Sequence, residues 1–522
     1  MNNNTMVKLL YFGGREKTYQ AWDGVPQDSL KTNRTFNDLG TDYGQHFPPY
    51  KNQTDNYGQD YLQLLFSQYL PKGFNLNAAF FATLGKGYYE EYKAAQDINS
   101  YFPNFDTVPV ITDLVRQKWL KNIFYGGTFA VNYNRKDFSA TLGGALCRYD
   151  AENFGKVIST AVPLMFDNTA KYYYGQSAKN DFNVYIKLNY ELRSRLHLFL
   201  DVQYRYVGYQ TKGTDDGLNP YDAKYNWNFF NPKFGVLYKI KPAHQIYASY
   251  AMGSREPNRD DVLAALAANK FVKPEKLQDV EAGYKFLHPQ FPLNINLYFM
   301  DYKDQLVLTG RLNDVGNPIK ENVAKSYRAG IELNGSFHVY RHWGTAEAWH
   351  NRKVFSINYS FTYSLNKIKS FYEYIYTYDD SYAPVDSFTQ VIKHKNSNIS
   401  FSPNIIASLE LAAYPFEGFE ISLINKAVSK QYLDNTSNED RKIKPFFYSN
   451  LRLTYKLPLH REHKEIKLTL LLNNIFNRLY ESNGYTYSER YYSGGSLTPV
   501  STYNYYNPQA GFNILGGISV RF

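Results

Sequence analysis

Hydrophobic and polar residues alternate with a period of two along most of this chain. The clearest case is the run from Asn228 to Asp261. Phe234, Val236, Tyr238 and Ile240 take one side of it, and Lys233, Gly235 and Lys239 the other. After a corner at Lys241, Pro242 and Ala243, the residues Ile246, Ala248, Tyr250 and Met252 share a face opposite Tyr247, Ser249, Ala251 and Gly253. Successive side chains of a β-strand point to opposite faces, so the pattern marks strands with two unlike sides. Pro242 fixes φ and lacks an amide donor, which suits a corner. A long polar loop is expected after Ser254.

The same unit of hairpin, short turn and long loop recurs, and predicts about eighteen strands. They fall near 5–13, 61–70, 74–84, 121–133, 136–148, 181–192, 195–209, 228–240, 244–254, 277–287, 291–302, 326–340, 353–367, 400–413, 417–430, 446–457, 465–473 and 511–522. Leu196, Leu198, Leu200, Val202, Tyr204 and Tyr206 oppose His197, Asp201, Gln203 and Arg205, and Leu451, Leu453, Tyr455 and Leu457 oppose Arg452, Thr454 and Lys456. Short connections such as Pro71-Lys72-Gly73 and Pro415-Phe416-Glu417 follow every even-numbered strand, with Arg341 to Arg352 a longer exception. The other nine connections are long, from about fifteen to nearly fifty residues, which is rare in compact soluble domains. Short turns at one end and long loops at the other is the pattern of a transmembrane antiparallel β-barrel. Soluble β-sandwiches also alternate, but would not put every long loop on one side.

Composition fits this all-β reading. The chain has 522 residues, 51 of them Tyr and 36 Phe, and aromatic side chains favour strands. No run approaches the ~18 apolar residues of a membrane-spanning helix, whereas alternating barrel strands average to a polar hydropathy. The net charge of +10 is spread along the chain, as in solvated loops and a polar lumen, and does not form a nucleic-acid footprint. The single cysteine, Cys147, has no internal disulfide partner. The opening MNNNTMVKLLYFGG lacks a secretory signal's basic start and apolar core.

Several long blocks, in order, resemble the barrel of TonB-dependent outer-membrane receptors of the Bacteroidetes type. They include FFNPKFGVLY (229–238), IYASYAMGSREPNRDDV (246–262), VKPEKLQDVEAGYKF (272–286), INLYFMDYKDQLVLTG (295–310), NDVGNPI (313–319), SYRAGIEL (326–333), LLNNIFNRLYESNGY (471–485) and the terminal GFNILGGISVRF. The opening 8–38 resembles the same branch. The resemblance implies a barrel of about 22 strands filled by an N-terminal plug. It implies uptake of a scarce nutrient, mostly a ferric siderophore, haem, cobalamin or glycan, energised by TonB–ExbB–ExbD acting on the plug. It also implies that Phe522, with Val520 and Ile518, forms the signal read by the barrel-assembly machinery. The chain as given is expected to be this barrel, residues 1–522, without signal peptide or plug and about four strands short. TonB coupling is then expected only for a plug-containing full-length form, and export to the outer membrane only with a signal.

The lipid face is assigned to Leu451, Leu453, Ile466, Leu468, Leu470, Ile514 and Ile518. Tyr206, Tyr298 and Phe522 are assigned to interfacial girdles, and Lys187, Asp201, Arg205, Arg452 and Lys467 to the lumen. Two Tyr-rich loops stand out, Phe371 to Tyr382 and Tyr485 to Tyr506. Tyrosine gives rigid amphipathic contact area, so Tyr374, Tyr376, Tyr378, Tyr491, Tyr492 and Tyr505 are ligand-contact candidates. The alternative is that these tyrosines sit at membrane interfaces and stack on one another in loops. Arg255 and Arg259 either attract an anionic ferric chelate or pair with Glu256, Asp260 and Asp261. Neither His338, His342 and His350 nor His460 and His463 sit on a scaffold fit for zinc. Asp215 and Asp216 read as a solvated turn, too few for a calcium loop. No catalytic motif or cofactor fingerprint is present, and the chain reads as no enzyme. The expected function is uptake of a ferric siderophore or similar iron complex across the outer membrane. The alternatives are a passive unplugged pore, a surface-binding barrel and a non-functional fragment.

Overall fold

A computed structural model describes residues 4–41, 49–103, 105, 109–312, 318–343, 350–381, 385–457 and 465–521, with the side chains of 310–312, 318, 341–343, 350–352 and 386 outside the description. Eighteen strands carry the period-two pattern. They are β1 (Thr5–Tyr19), β2 (Thr54–Leu70), β3 (Phe74–Asp97), β4 (Ile111–Arg135), β5 (Phe138–Thr160), β6 (Tyr173–Leu192), β7 (Leu196–Thr214), β8 (Pro220–Lys241), β9 (His244–Arg255), β10 (Glu275–Phe286), β11 (Leu293–Leu312), β12 (Pro318–Trp343), β13 (His350–Asp379), β14 (Ile405–Ala413), β15 (Phe419–Val428), β16 (Phe446–Leu457), β17 (Glu465–Asn473) and β18 (Asn513–Arg521). Each matches one expected strand.

The chain divides into two compact units. The first comprises 1–23, 36–234 and 252–274. In it β1 to β7 form an antiparallel meander in which each strand pairs with the next. The second comprises 24–35, 235–251 and 275–522, and runs likewise from β10 to β18. Each ladder satisfies the backbone groups that a bilayer interior leaves without water.

The two faces are unlike, as the alternation requires. On β6, Phe182 and Ile186 are exposed apolar residues, while Asn183, Tyr185 and Lys187 turn to the other side. The polar face is laced by cross-strand ion pairs. Lys187 lies 3.8 Å from Asp201, and Arg452 holds Glu410 at 2.7 Å and Glu420 at 2.9 Å. Tyr206 stays on the apolar side, its hydroxyl donating to Asn226 at 2.8 Å. Tyr298 does not belong to a girdle. It shares the face of buried Asn296, opposite exposed Leu297 and Phe299, and pairs with Gly330. A Cβ on Gly330 would lie 2.6 Å from the Tyr298 hydroxyl, so the ring lies across a glycine. Phe522, the expected assembly signal, lies outside the described residues, while Ile518 and Val520 are exposed apolar residues of β18.

The connections differ most from expectation. Many of the long loops are continuations of the strands. β13 has 30 residues and β12 has 26, far beyond the roughly 9–11 that span a bilayer. β7 and β8 are joined by Asp215–Asn219 alone, closed by a hydrogen bond from the Leu218 amide N–H to Asp215 O. In the Arg341–Arg352 exception the ladder continues to Trp343 paired with His350. Phe371–Tyr382 is strand as far as Asp379, and Tyr485–Tyr506 is mostly a hairpin of Glu481–Ser493 with Ser501–Pro508. The polar loop after Ser254 contains an α-helix, Arg259–Ala267, started by a capping box between Asn258 and Asp261. In the β7 extension, buried Tyr209 and Thr211 alternate with Gln210 and Lys212, so no apolar stripe marks it. Among the short turns, Lys72 and Gly73 take left-handed φ values of 66° and 86°. A Cβ on Gly73 would stand 2.4 Å from Asn134 O, so glycine is required there. His460 and His463, and the side chains of His342 and His350, lie outside the description.

Neighbouring positions on β6 give a direct test of the face assignment. Phe182→Arg is expected to lower folding stability in lipid vesicles by about 2–4 kcal/mol. Asn183→Arg, one residue along, is expected to change it by less than about 1 kcal/mol. Reversible urea unfolding of the two variants measures both.

Candidate ligand-binding platform

In the second unit the two Tyr-rich stretches meet. Tyr376–Asp379 of β13 pairs in parallel with Glu489–Tyr492 of the hairpin, Tyr376 against Glu489 and Tyr378 against Tyr491. The rings of Tyr378 and Tyr491 are 6.3 Å apart, and Tyr492 stacks on Phe388 at 4.9 Å. On the hairpin, Tyr487 stacks on Tyr503 at 5.1 Å, and Tyr505 on Tyr485 at 4.8 Å. Cross-strand aromatic pairs of this kind hold two strands in one register. Of the six tyrosines expected to contact ligand, Tyr376, Tyr378, Tyr491 and Tyr492 are thus brought together. Tyr505 belongs to the hairpin stack and pairs along its backbone with Pro26. Tyr374 is exposed, with Tyr372, on the face of β13 opposite Glu373 and Ile375.

A buried ionic centre fixes these pieces. Arg441 donates to Glu373 Oε1 at 2.5 Å, Asp434 Oδ2 at 2.9 Å and Ser488 Oγ at 2.8 Å. His394 Nε2 lies 2.8 Å from Glu373 Oε2. The side chains of Arg441, Glu373 and Asp434 are only 8%, 12% and 5% exposed. Burial disfavours the charge of Arg441, but Asp434 and Glu373 outweigh it and hold its pKa above the ordinary value. The centre ties together β13, the strand Gln390–Asn398, the strap 429–445 and the hairpin. Around it the strap is anchored by buried Leu433 and Ile443, which pack with Tyr506. Burial raises the Tyr506 phenol to about 12, and its hydroxyl donates to Lys442 O at 3.0 Å. The segment 24–35 closes over the hairpin. Val25 pairs with Tyr506, and Arg34 reaches Glu481 at 2.7 Å.

The two expected arginines lie in the first unit. Arg255 is exposed at the end of β9. Arg259 opens the helix, donates to the Tyr221 hydroxyl at 3.2 Å and stands 3.7 Å from Asp260. Glu256 is held by Lys179 and by Arg205, the latter at 2.9 Å, and Asp261 is used by the capping box. Asp216 is not simply solvated. It lies 2.7 Å from Lys118, beside a buried pair of Arg116 and Glu91 at 2.8 Å. Sequence reasoning missed both ionic centres. Glu373 and Arg441 are 68 residues apart, and only the strand register places them together.

Strands with one apolar and one polar face, short turns at one end and a packed polar superstructure at the other define a membrane-spanning antiparallel β-protein. The chain belongs to the TonB dependent receptor-like β-barrel family, whose model matches residues 4–475. No curated protein sequence matches it. Similar solved structures include the copper transporter OprC (TM-score 0.68, 13% identity, covering 100% of this chain and 70% of that one). They also include the ferric yersiniabactin uptake receptor FyuA from Yersinia pestis (0.63, 12%, 100% and 68%) and the ferric citrate transporter FecA (0.63, 14%, 99% and 68%). At these identities the likeness is one of fold. The family is one of outer-membrane transport receptors, and the sheet described above is its barrel fold.

Two outcomes check the platform. Arg441→Ala leaves Glu373 and Asp434 buried without their cation, a change that costs about 3–5 kcal/mol for such a pair. Amide exchange in 431–443 and 481–508 is expected to accelerate accordingly while that of β4 and β5 stays unchanged. The second concerns Glu439, which accepts hydrogen bonds from Lys430, from Lys442 at 2.6 Å and from Tyr432 at 2.7 Å. These lower its pKa from 4.5 to about 2. A depressed carboxylate contributes its stabilisation above its unfolded value and loses it as pH falls through the folded one. Opening of the strap, read by amide exchange normalised to that of β4 and β5, is therefore expected to stay slow above pH 4.5 and to increase progressively as pH falls from there towards about 2. Glu439→Gln is expected to abolish that dependence.

Proposed function

We propose that this chain is the barrel of an outer-membrane active-transport receptor that takes up a scarce nutrient, a ferric siderophore or another iron complex. In this reading energy arrives through TonB, ExbB and ExbD in the plug-containing full-length form. The long connections face the outside, and the Tyr platform with its exposed Tyr372, Tyr374 and Tyr503 meets the ligand. The observation that carries the proposal is the parallel pairing of Tyr376–Asp379 with Glu489–Tyr492, within a chain of the TonB dependent receptor-like family. That pairing turns two distant aromatic stretches into one rigid surface, and rigid aromatic area suits capture of a bulky chelate. Iron complexes are favoured because two of the similar structures are a ferric yersiniabactin receptor and a ferric citrate transporter. Arg255 and Arg259 are proposed to add positive field for an anionic chelate. Ile518, Val520 and Phe522 are proposed as the contact with the barrel-assembly machinery.

The test is uptake of radiolabelled iron by cells that depend on the full-length gene for growth on a ferric siderophore. Uptake is expected to require TonB. Tyr378→Ala with Tyr491→Ala is expected to weaken binding about tenfold, the loss of roughly 1.4 kcal/mol. Uptake that persists without TonB, with free solute flux in liposome swelling, would favour a passive pore. Copper, haem, cobalamin or glycan uptake in place of iron would replace the substrate and keep the transporter.

A further inference from the structure

The segment 252–274 belongs to the first unit and lies against the polar face of β6 to β8. Two pins hold its first turn. At one, Glu256 is held by Lys179 of β6, and by Arg205 of β7 at 2.9 Å. At the other, Arg259 donates through Nη2 to the Tyr221 hydroxyl of β8 at 3.2 Å, with its guanidinium 5.8 Å from the centre of that ring. Tyr221 is itself fixed, because its hydroxyl takes the space that a side chain on Gly175 would fill.

Tyr209 of β7 stands between the two pins. Its backbone pairs with Lys179, Thr211 with Ser177, and Gly213 with Gly175 beneath Tyr221. Its ring stacks on Trp227 at 6.5 Å, and the residue is only 8% exposed. Its hydroxyl nevertheless has no hydrogen-bond partner among the described residues. The hydroxyls of Ser177 and Thr211 bond to each other at 2.8 Å. Arg259 Nε is likewise buried and unpartnered among the described residues, and Asp260 stands 3.7 Å from Nη1. The charge of Arg259 reaches Tyr209. Burial raises the phenol above its ordinary pKa, while the Ser177 and Thr211 hydroxyls and Arg259 oppose that rise. A buried donor without an acceptor is costly, and here two occur together, one of them cationic. An arginine N–H only donates and a phenol donates readily, so an acceptor completes the pair, and the positive charge selects an anionic one.

We propose that Arg259 and Tyr209 clamp one carboxylate group between the helix Arg259–Ala267 and β7. A singly charged group fits, because Arg259 is one cation that already has Asp260 nearby, and a phosphate dianion would bring more charge than the site balances. The carboxylate bridges the start of the helix to the strand and adds a third pin between Glu256 and Tyr221. Arg259 thereby gains a definite contact in place of a general field, and Arg255, exposed at the end of β9, takes no part. The carboxylate comes from a free organic acid or from the acid group of a transported chelate. Only the second source rests on the uptake reading.

The experiment is amide exchange of the full chain in detergent with succinate and its neutral diamide, succinamide, as probes. Succinate at about twice its Kd is expected to slow exchange in 259–268 about threefold, as 1 + [L]/Kd requires, and succinamide to leave it unchanged. Tyr209→Phe, which removes only the hydroxyl, is expected to weaken succinate about tenfold, and Arg259→Gln to abolish its effect. Equal slowing by succinamide, or none by succinate, would overturn the proposal, and this arm needs no variant to fold. Inorganic phosphate acting as strongly as succinate would also overturn it. Ferric citrate and succinate then distinguish the source. Tighter retention of ferric citrate, lost in Tyr209→Phe, supports the clamp and assigns the carboxylate to the transported chelate, whereas equal retention supports it and assigns a free acid. Failure of iron uptake while succinate still protects 259–268 refutes the uptake reading and leaves the clamp standing.

Discussion

Backbone pairing is the constraint on which everything else here depends. A bilayer interior offers no hydrogen bonds to amides or carbonyls, and each unpaired group costs several kcal/mol. The ladders meet this demand residue by residue. β3 with β4 and β5 with β6 run through the apolar band without a register shift. Once every backbone group is committed to a neighbour, side chains are left with only two directions. Lipid claims one face and the polar interior the other, and the period of two follows.

That coupling explains which parts of the fold could be read in advance. Where one face meets lipid, as from Leu196 to Tyr206 or Leu451 to Leu457, the alternation is forced and the strands fall where the pattern puts them. Where a strand rises above the band, lipid no longer selects. β7 continues through Tyr209, Thr211 and Thr214, but buried Tyr209 and Thr211 alternate with Gln210 and Lys212, a mixed sequence that reads as loop. The shortfall is systematic: connections are overestimated because the polar extensions carry no apolar stripe. Tyr298 shows a subtler failure. An aromatic near a strand end suggests a girdle, but its parity with Asn296 and its cross-strand glycine put it on the polar side.

The candidate site was half legible. Its tyrosines stood out by composition, and the structure unites four of them. The residues that hold them did not stand out. Glu373, His394, Asp434 and Arg441 are unremarkable singly and belong to three segments. Their meeting depends on β13 pairing with Gln390–Asn398 and on the strap returning beneath the hairpin. Composition can announce which surface is unusual, whereas the ionic centre that makes it rigid is a property of register alone.

Rigidity changes what the tyrosines are for. Tyr485, Tyr487, Tyr503 and Tyr505 are largely occupied with one another, and burial pushes the Tyr487 phenol well above its ordinary pKa. Such rings do not swing out to wrap a ligand. They form a stacked layer in which Tyr503 remains partly exposed. Ordering a floppy loop costs about 1–2 kcal/mol per residue in backbone entropy, and here the buried Arg441 centre and the stacked rings have met that cost on folding. The stacked hairpin rings and the buried Arg441 centre therefore hold one surface whose shape is set on folding.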